Sequence, residues 1–405
     1  VSTITIGPIA RNQPGLEAGV GEWVNWYWDE FLPAWCKRAR NPEGLGFYDE
    51  LDEHAQATRA DRRTILAQAR LLYTFAHLAL ISDNPAYAAA ARVARDALGV
   101  FRKSPGAYGR ARTSRGGLTR DPDDQLAFSY DQCFVILALV TWGKLCPDDD
   151  VGTELEACWT VIETDLKDPV TGMLLEHDGL SDPAASGAPN RAQNPHMHLY
   201  EAALQAYDMT GDAIWLDRAG QMRAKGLEFF FDDQTGTIRE FIAPDLTHLP
   251  GREGAYREVG HQCEWAWLLL REVDLGGDPS VGGIAERLLE FADLHGFQPR
   301  GKMQGAALDA VAADATWRDS SFLLWPQTEA IKVHALRSQN AVFGDRARAL
   351  ALLMFQRYFA RRTAFANQLD ADGQALWPDA LSRLHYHVVL ALTEGARAGL
   401  WTYPR

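Results

Sequence analysis

The chain has 405 residues, 47% of them hydrophobic and 23% charged, which gives enough apolar area for a continuous core without disulfide or metal staples. Its 54 acidic residues outnumber 40 basic ones for a formal charge of −14, and no basic run exceeds Arg62-Arg63 or Arg361-Arg362, which argues against nucleic acid or an anionic membrane surface as a partner. Five widely spaced cysteines with no C-x-x-C pair read as reduced thiols of a cytoplasmic protein. Val1 to Pro14 lacks the basic start and apolar run of a signal peptide, and no stretch reaches the roughly 18 apolar residues of a membrane span.

In chain order, helical apolar spacing is found near 16–38, 60–82, 85–103, 124–146, 151–165, 195–210, 213–230, 258–274, 281–295, 321–341, 343–359 and 383–398. These twelve segments alternate in character. Those beginning near 60, 124, 195, 258, 321 and 383 are apolar almost all round and so belong inside, while partners such as 213–230 and 343–359 carry charge on one face and so belong outside. Arg70, Tyr130, His198, His261, Gln327 and His387 hold comparable places in the inner set, 60, 68, 63, 66 and 60 residues apart. Short Gly-led segments precede several inner helices, at Gly46, Gly172, Gly236 and Gly373, and read as hairpins or loops at one end of each pair. A repeated helix pair is a repeat architecture, and six pairs with a buried inner set fit an all-α (α/α)6 barrel of twelve helices in six hairpins, with an inner and an outer ring. A single domain over 1–405 is expected, with 103–123 and 181–195 as long functional loops.

Each inner helix is interrupted by polar groups whose burial is costly unless they are paired or used. Arg70 sits in Gln68-Ala69-Arg70. His198/Glu201 and His261/Glu264 repeat an i,i+3 spacing at the start of neighbouring inner helices, which faces both pairs one way. His387 takes the equivalent place in the last inner helix, and Trp325, Gln327 and Glu329 add an aromatic ring, an amide and a carboxylate. Thirteen tryptophans suit either sugar stacking or core filling. Two His-x-His pairs, His196/His198 and His385/His387, raise a metal site, but no H-E-x-x-H or Cys-rich motif joins them, so neither metal nor cofactor is expected. An inverting glycosidase would need two carboxyl groups and no trio of histidines. No phosphate-binding glycine loop or nucleophile elbow is present, and proton transfer near pH 7 is the chemistry histidines serve best.

The motifs Gln68-Ala69-Arg70, Tyr130-Asp131-Gln132-Cys133-Phe134, Asn194 with Met197-His198 and Glu201-Ala202, Gly260-His261 with Glu264-Trp265, Trp325-Pro326 with Glu329-Ala330, and Tyr386-His387 span nearly the whole chain. Together they resemble the N-acylglucosamine 2-epimerase superfamily, which also holds cellobiose 2-epimerases and mannose isomerases; the stretch Gly260–Trp267 looks more like the mannose-isomerase branch. The resemblance implies an (α/α)6 barrel acting on a monosaccharide, with His261 and His387 as the acid/base pair. Arg70 and His198 would hold the C1 and C2 oxygens, and Glu264 would set an imidazole tautomer. Tyr130, Asn194, Glu201, Trp325 and Glu329 would join the substrate-binding set. It implies interconversion of D-mannose and D-fructose through an enediolate, with 2-epimerisation as the alternative and a glycosidase or a non-catalytic sugar-binding module below it. A homodimer is compatible with such a chain. His196 and His385 stand close enough to His198 and His387 to be exchanged for them.

Overall fold

The computed structural model describes residues 11–42, 44–59 and 61–405; residues 1–10, most of the stretch read above for a leader, lie outside the described residues. The twelve expected helices are all present. Helix α1 runs through three consecutive segments, Val20–Trp26, the π-helical Tyr27–Phe31 and Leu32–Ala39; it is followed by α2 (Ile65–Ile81), α3 (Pro85–Leu98), α4 (Ser129–Leu145), α5 (Gly152–Asp165) and α6 (Asn194–Thr210). Then come α7 (Ala213–Phe230), α8 (Val259–Asp274), α9 (Gly282–His295), α10 (Leu324–Leu336), α11 (Ala341–Met354) and α12 (His385–Arg397).

The even-numbered helices form the inner ring. Each packs on the next, α12 packs back on α2, and α3, α5, α7, α9 and α11 each cover the inner helix before them, so the ring is closed. The reason lies in sequence. In α4 the run Val135-Ile136-Leu137-Ala138-Leu139-Val140 is buried throughout, leaving no polar face to present to water, whereas the outer helix α3 buries Tyr87, Ala91, Ala94 and Leu98 and exposes the other side. Inner helices α2 and α10 begin later than periodicity alone suggests, because the residues just before them are taken into short strands. Arg62–Thr64 pairs with Ala111–Thr113, and Phe322–Leu323 with Gln368–Leu369. Of the Gly-led segments, that at Gly46 leads to Glu50–Leu51, which pairs with Ala380–Leu381 and ties the first repeat to the last. The Gly172 segment makes only isolated bridges.

A buried side chain in the first turns of most inner helices clamps the backbone of the preceding hairpin. Gln68 binds both N–H and C=O of Phe47, Gln132 those of Tyr108, Gln262 those of Ile238 and Gln327 those of Ala307, at 2.7–3.2 Å. A carboxamide is the side chain that can donate and accept side by side, matching a strand's edge without leaving a buried group unpaired. Gly46, at φ +57°, is required beside the first clamp, since a Cβ there would overlap the Gln68 amide.

Candidate active site

The N-terminal turns of the inner helices surround one cavity of about 690 Å³, roofed by loops that include 189–194 and Arg110. Among the expected site residues, Arg70, Tyr130, Asn194, His198, His261, Glu264, Trp325 and His387 line it. Glu201 and Glu329 do not; both are buried, Glu201 behind His198 and Glu329 behind His387, so their expected place against the sugar is corrected to a place behind these imidazoles. Gln327, expected to offer an amide to the pocket, is instead a backbone clamp.

His387 is held at both ends. Its Nδ1 donates to Glu329 Oε1 at 2.8 Å, and Arg70 Nη1 donates to its Nε2 at 3.1 Å, which fixes the neutral Nδ1–H form with a lone pair on the cavity side. Burial, with Arg70 and Lys332 nearby, holds its pKa well below the ordinary histidine value. Arg70 also donates to the Tyr130 hydroxyl at 2.6 Å and lies against the Phe134 and Tyr386 rings, with its guanidinium carbon 4.1 and 5.0 Å from their centres.

His261 is the reverse case. Its Nδ1 is 2.7 Å from Glu240 Oε2 and 3.1 Å from Glu258 Oε2. Burial opposes its charge, but Glu240 and Glu258 outweigh that and push its pKa up to about 10, so it is an imidazolium at neutral pH. Glu258, buried and beside Glu240, is itself pushed up to about 7. Trp325 stands between the two histidines, its ring centre 4.8 Å from that of His261 and 6.0 Å from that of His387. It reaches that place because residue 260 is glycine, where any Cβ would run into the indole.

The i,i+3 spacing, expected to face both pairs toward one centre, brings His198, His261 and Glu264 to the cavity, but only the His198/Glu201 pair is hydrogen-bonded. His198 Nδ1 donates to Glu201 Oε2 at 2.9 Å, and Tyr386 donates to the other carboxylate oxygen. Burial opposes the Glu201 carboxylate, but His198, Lys332 and Tyr386 hold its pKa below the usual range. Glu264, expected to set a tautomer, bonds no imidazole; it turns toward Lys332, 3.9 Å away, while Glu240 and Glu258 take the place beside His261. Periodicity could not reveal Glu240, which comes from the hairpin before α8, although the Gly236 segment contains it. Glu258 lies three residues before His261, one turn toward the N-terminus, whereas the spacing motif pairs each histidine with the residue one turn after it.

His196 and His385 do not face the cavity. His196 occupies the clamp position of its repeat, with Leu174 N–H donating to Nε2 at 3.0 Å and Nδ1 donating to Ala192 O at 3.2 Å. His385 is enclosed by Trp35, Phe31 and Phe365 and hydrogen-bonds the Tyr27 hydroxyl at 2.8 Å. Burial holds both well below the ordinary histidine pKa, to about 4 and about 3. Three imidazole–carboxylate groups bring ligand-type atoms within 4.8 Å of one another: His198/Glu201/Glu264, His261/Glu240/Glu258 and His387/Glu264/Glu329. In each the imidazole Nδ1 already carries a proton shared with a carboxylate, so a divalent cation would have to displace that proton.

Residues 46–393 match the sequence profile of N-acylglucosamine 2-epimerase, GlcNAc 2-epimerase. The chain belongs to this family. The "Mannose-6-phosphate isomerase" of Rhizobium meliloti (strain 1021) is 30% identical over 389 residues, 92% of this chain and 96% of that one. Among solved structures, the cellobiose 2-epimerase from Bacillus thermoamylovorans B4167 superposes with a TM-score of 0.79 at 17% identity, covering 93% of this chain and 98% of that one. A D-mannose isomerase superposes with a TM-score of 0.77 at 20% identity, covering 94% and 97%. As a member of the N-acylglucosamine 2-epimerase family, the protein is an isomerase or epimerase with the (α/α)6 barrel deduced from its helix count. Among the described residues no helix is long and apolar enough to cross a membrane.

Proposed function

We propose that the protein is an aldose–ketose isomerase that interconverts D-mannose and D-fructose, with His387 moving a proton between C2 and C1 and His261 opening the ring. One observation carries this reading: a single cavity holds an imidazole bound between Glu329 and Arg70, which suits a neutral base, and another whose Nδ1 faces the two carboxylates Glu240 and Glu258, which suits an acid. In the closed sugar, His261 gives its proton to O5 as the C1–O5 bond breaks, while the O1 proton passes to Glu258, the carboxylate at its side. His387 Nε2, freed as the Arg70 guanidinium turns from it to the sugar oxygens, then takes the C2 proton. The C2–H electrons form the C1=C2 bond and the carbonyl pair moves to O1, beside the Arg70 guanidinium, which the buried Phe134 and Tyr386 rings back from behind. Transfer of the O2 proton to O1 and return of the His387 proton to C1 give the ketose. His198, anchored through Nδ1 to Glu201, faces those two oxygens, and the Asn194 Oδ1, buried without a partner, is left for a sugar hydroxyl.

A 2-epimerase would use the same oxyanion site but needs each imidazole to act as base in one direction. A group near pKa 10 and one far below 6.5 are too far apart to exchange those roles efficiently, whereas an isomerase returns His387 to its starting state in every turnover. A phosphorylated hexose is the second reading of the substrate. Arg110 and Arg383 line the cavity with Arg70, all three acting on the buried Asp131, and the Rhizobium relative is named for mannose 6-phosphate. Incubation with mannose, fructose, glucose, N-acetylmannosamine and mannose 6-phosphate in D₂O, followed by NMR, tests this directly. Deuterium at C1 of fructose, formed from mannose, is expected; exchange confined to C2 with glucose as product would refute the isomerase reading.

A further inference from the structure

One fully buried charge in the barrel has no part in the chemistry above. Lys332 lies on α10 one turn beyond Glu329, with no exposed surface and no place in the cavity wall. Its Nζ is 2.5 Å from Glu329 Oε2, 3.9 Å from Glu264 Oε1 and 4.1 Å from the centre of the Trp267 ring. Replacing a buried ion pair by apolar side chains is often neutral or stabilising, so stability alone does not account for an ammonium here.

We propose that Lys332 is a positioning residue for the base: its ammonium keeps Glu329 ionised, which fixes the proton of His387 on Nδ1 and keeps Nε2 an acceptor, held by Arg70 until the substrate oxygens draw the guanidinium away. The inference rests on the reading of His387 as the carbon base. Arg70 donates to Nε2, so the one proton of the neutral ring is on Nδ1. That proton points at Glu329 Oε1, and the ammonium forms an ion pair with Oε2, so a cationic or N–H group stands beside each carboxylate oxygen. Around this group stand Glu264 and His261 from α8, Glu201 and His198 from α6, Tyr386 from α12 and Arg70 from α2. Burial, then the Glu264 charge, hold the Glu329 pKa above the ordinary carboxylate range, and Lys332 is the cation that limits that rise. Burial works against the ammonium too, yet Glu329, Glu264 and Glu201 hold it above the ordinary lysine value.

Without the ammonium, Glu329 takes a proton and donates it to Nδ1. The ring proton must then sit on Nε2, where it meets the Arg70 donor and the base is lost. Lys332→Met and Lys332→Arg test this through the ¹⁵N spectrum of histidine-labelled protein without sugar and through the pH profile of kcat/KM. The Nδ1–H form of His387 is expected in the parent and in K332R, and the Nε2–H form in K332M. The acidic limb of K332M should move to higher pH by about 1–3 units, the usual effect of removing an adjacent opposite charge. If K332M does not fold, Lys332→Gln is read the same way. An unchanged tautomer with a uniform loss of activity across pH would overturn the proposal and leave Lys332 a packing residue. The spectrum is independent of turnover, so a tautomer change in a protein that isomerises no sugar would keep this inference and reject the function.

Discussion

Glu240→Gln isolates the charge that makes His261 an acid. Glu240 Oε2 lies 2.7 Å from His261 Nδ1, and with Glu258 it outweighs burial to bring the imidazole to about 10. Neutralising one adjacent opposite charge shifts a pKa by about 1–3 units, at about 1.4 kcal/mol per unit, so the variant's His261 is expected between about 7 and 9. Ring opening needs the imidazolium, so the basic limb of kcat/KM for mannose should fall by the same interval, while activity below that limb is largely kept. Stability gives a second readout of the same charge. A histidine pKa raised from 6.5 to about 10 on folding contributes stability that is fully present below 6.5 and is lost as pH rises through 10. The Tm difference between parent and variant should therefore be largest below pH 6.5 and fade toward pH 10. A basic limb that stays in place while kcat drops equally at every pH would refute the reasoning, because Glu240 would then be shaping the site without charging it.

Replacing either His261 or His387 by Asn should abolish turnover while leaving the circular dichroism spectrum unchanged. Arg70→Ala should lower kcat by about 10²–10³ as the donor beside the developing O1 charge is lost, as measured by steady-state kinetics. His196→Gln should be tolerated, because glutamine fills the same clamp position in four other repeats. It should also flatten the acid side of stability: His196 falls from 6.5 to about 4 on folding, so below 6.5 the unfolded chain takes a proton the folded one refuses, and urea titrations at pH 5 and pH 7 should differ by about 1.4 kcal/mol per pH unit less than in the parent. Turnover after exhaustive chelation should be unchanged, since the carbon proton is moved by imidazole; loss restored by one divalent ion would assign the carboxylate–imidazole groups a metal instead.

The helices were legible because an all-apolar run such as Val135–Val140 can only be buried; six such runs at a steady interval suit an open solenoid or a ring, and the contact of α12 with α2 shows the ring. The histidines were legible because a buried polar group breaks that pattern. What surrounds them was not. Glu240 reaches His261 across the hairpin that Gln262 clamps, and the Lys332 ammonium meets Glu264 from the neighbouring helix, contacts that depend on how helices are rotated rather than on spacing along one of them. The same rotation turned Gln327 onto the Ala307 backbone and Glu329 behind His387. The extra imidazoles were ambiguous for a related reason. His196 and His385 each lie two residues before a cavity histidine, and only the structure shows that one clamps a strand as the glutamines do and the other is enclosed by aromatic rings.

The central claim is that one imidazole carries the carbon-bound proton and hands it back on the same face. Its most direct test is the fate of deuterium from 2-deuteromannose in ordinary water, followed by NMR in the first turnovers. The account predicts fructose as the first product, with part of the deuterium at C1 in one stereochemical position and the rest lost to solvent from His387. Glucose as the first product, with fructose absent or late and no deuterium at C1, would contradict it and make the protein a 2-epimerase.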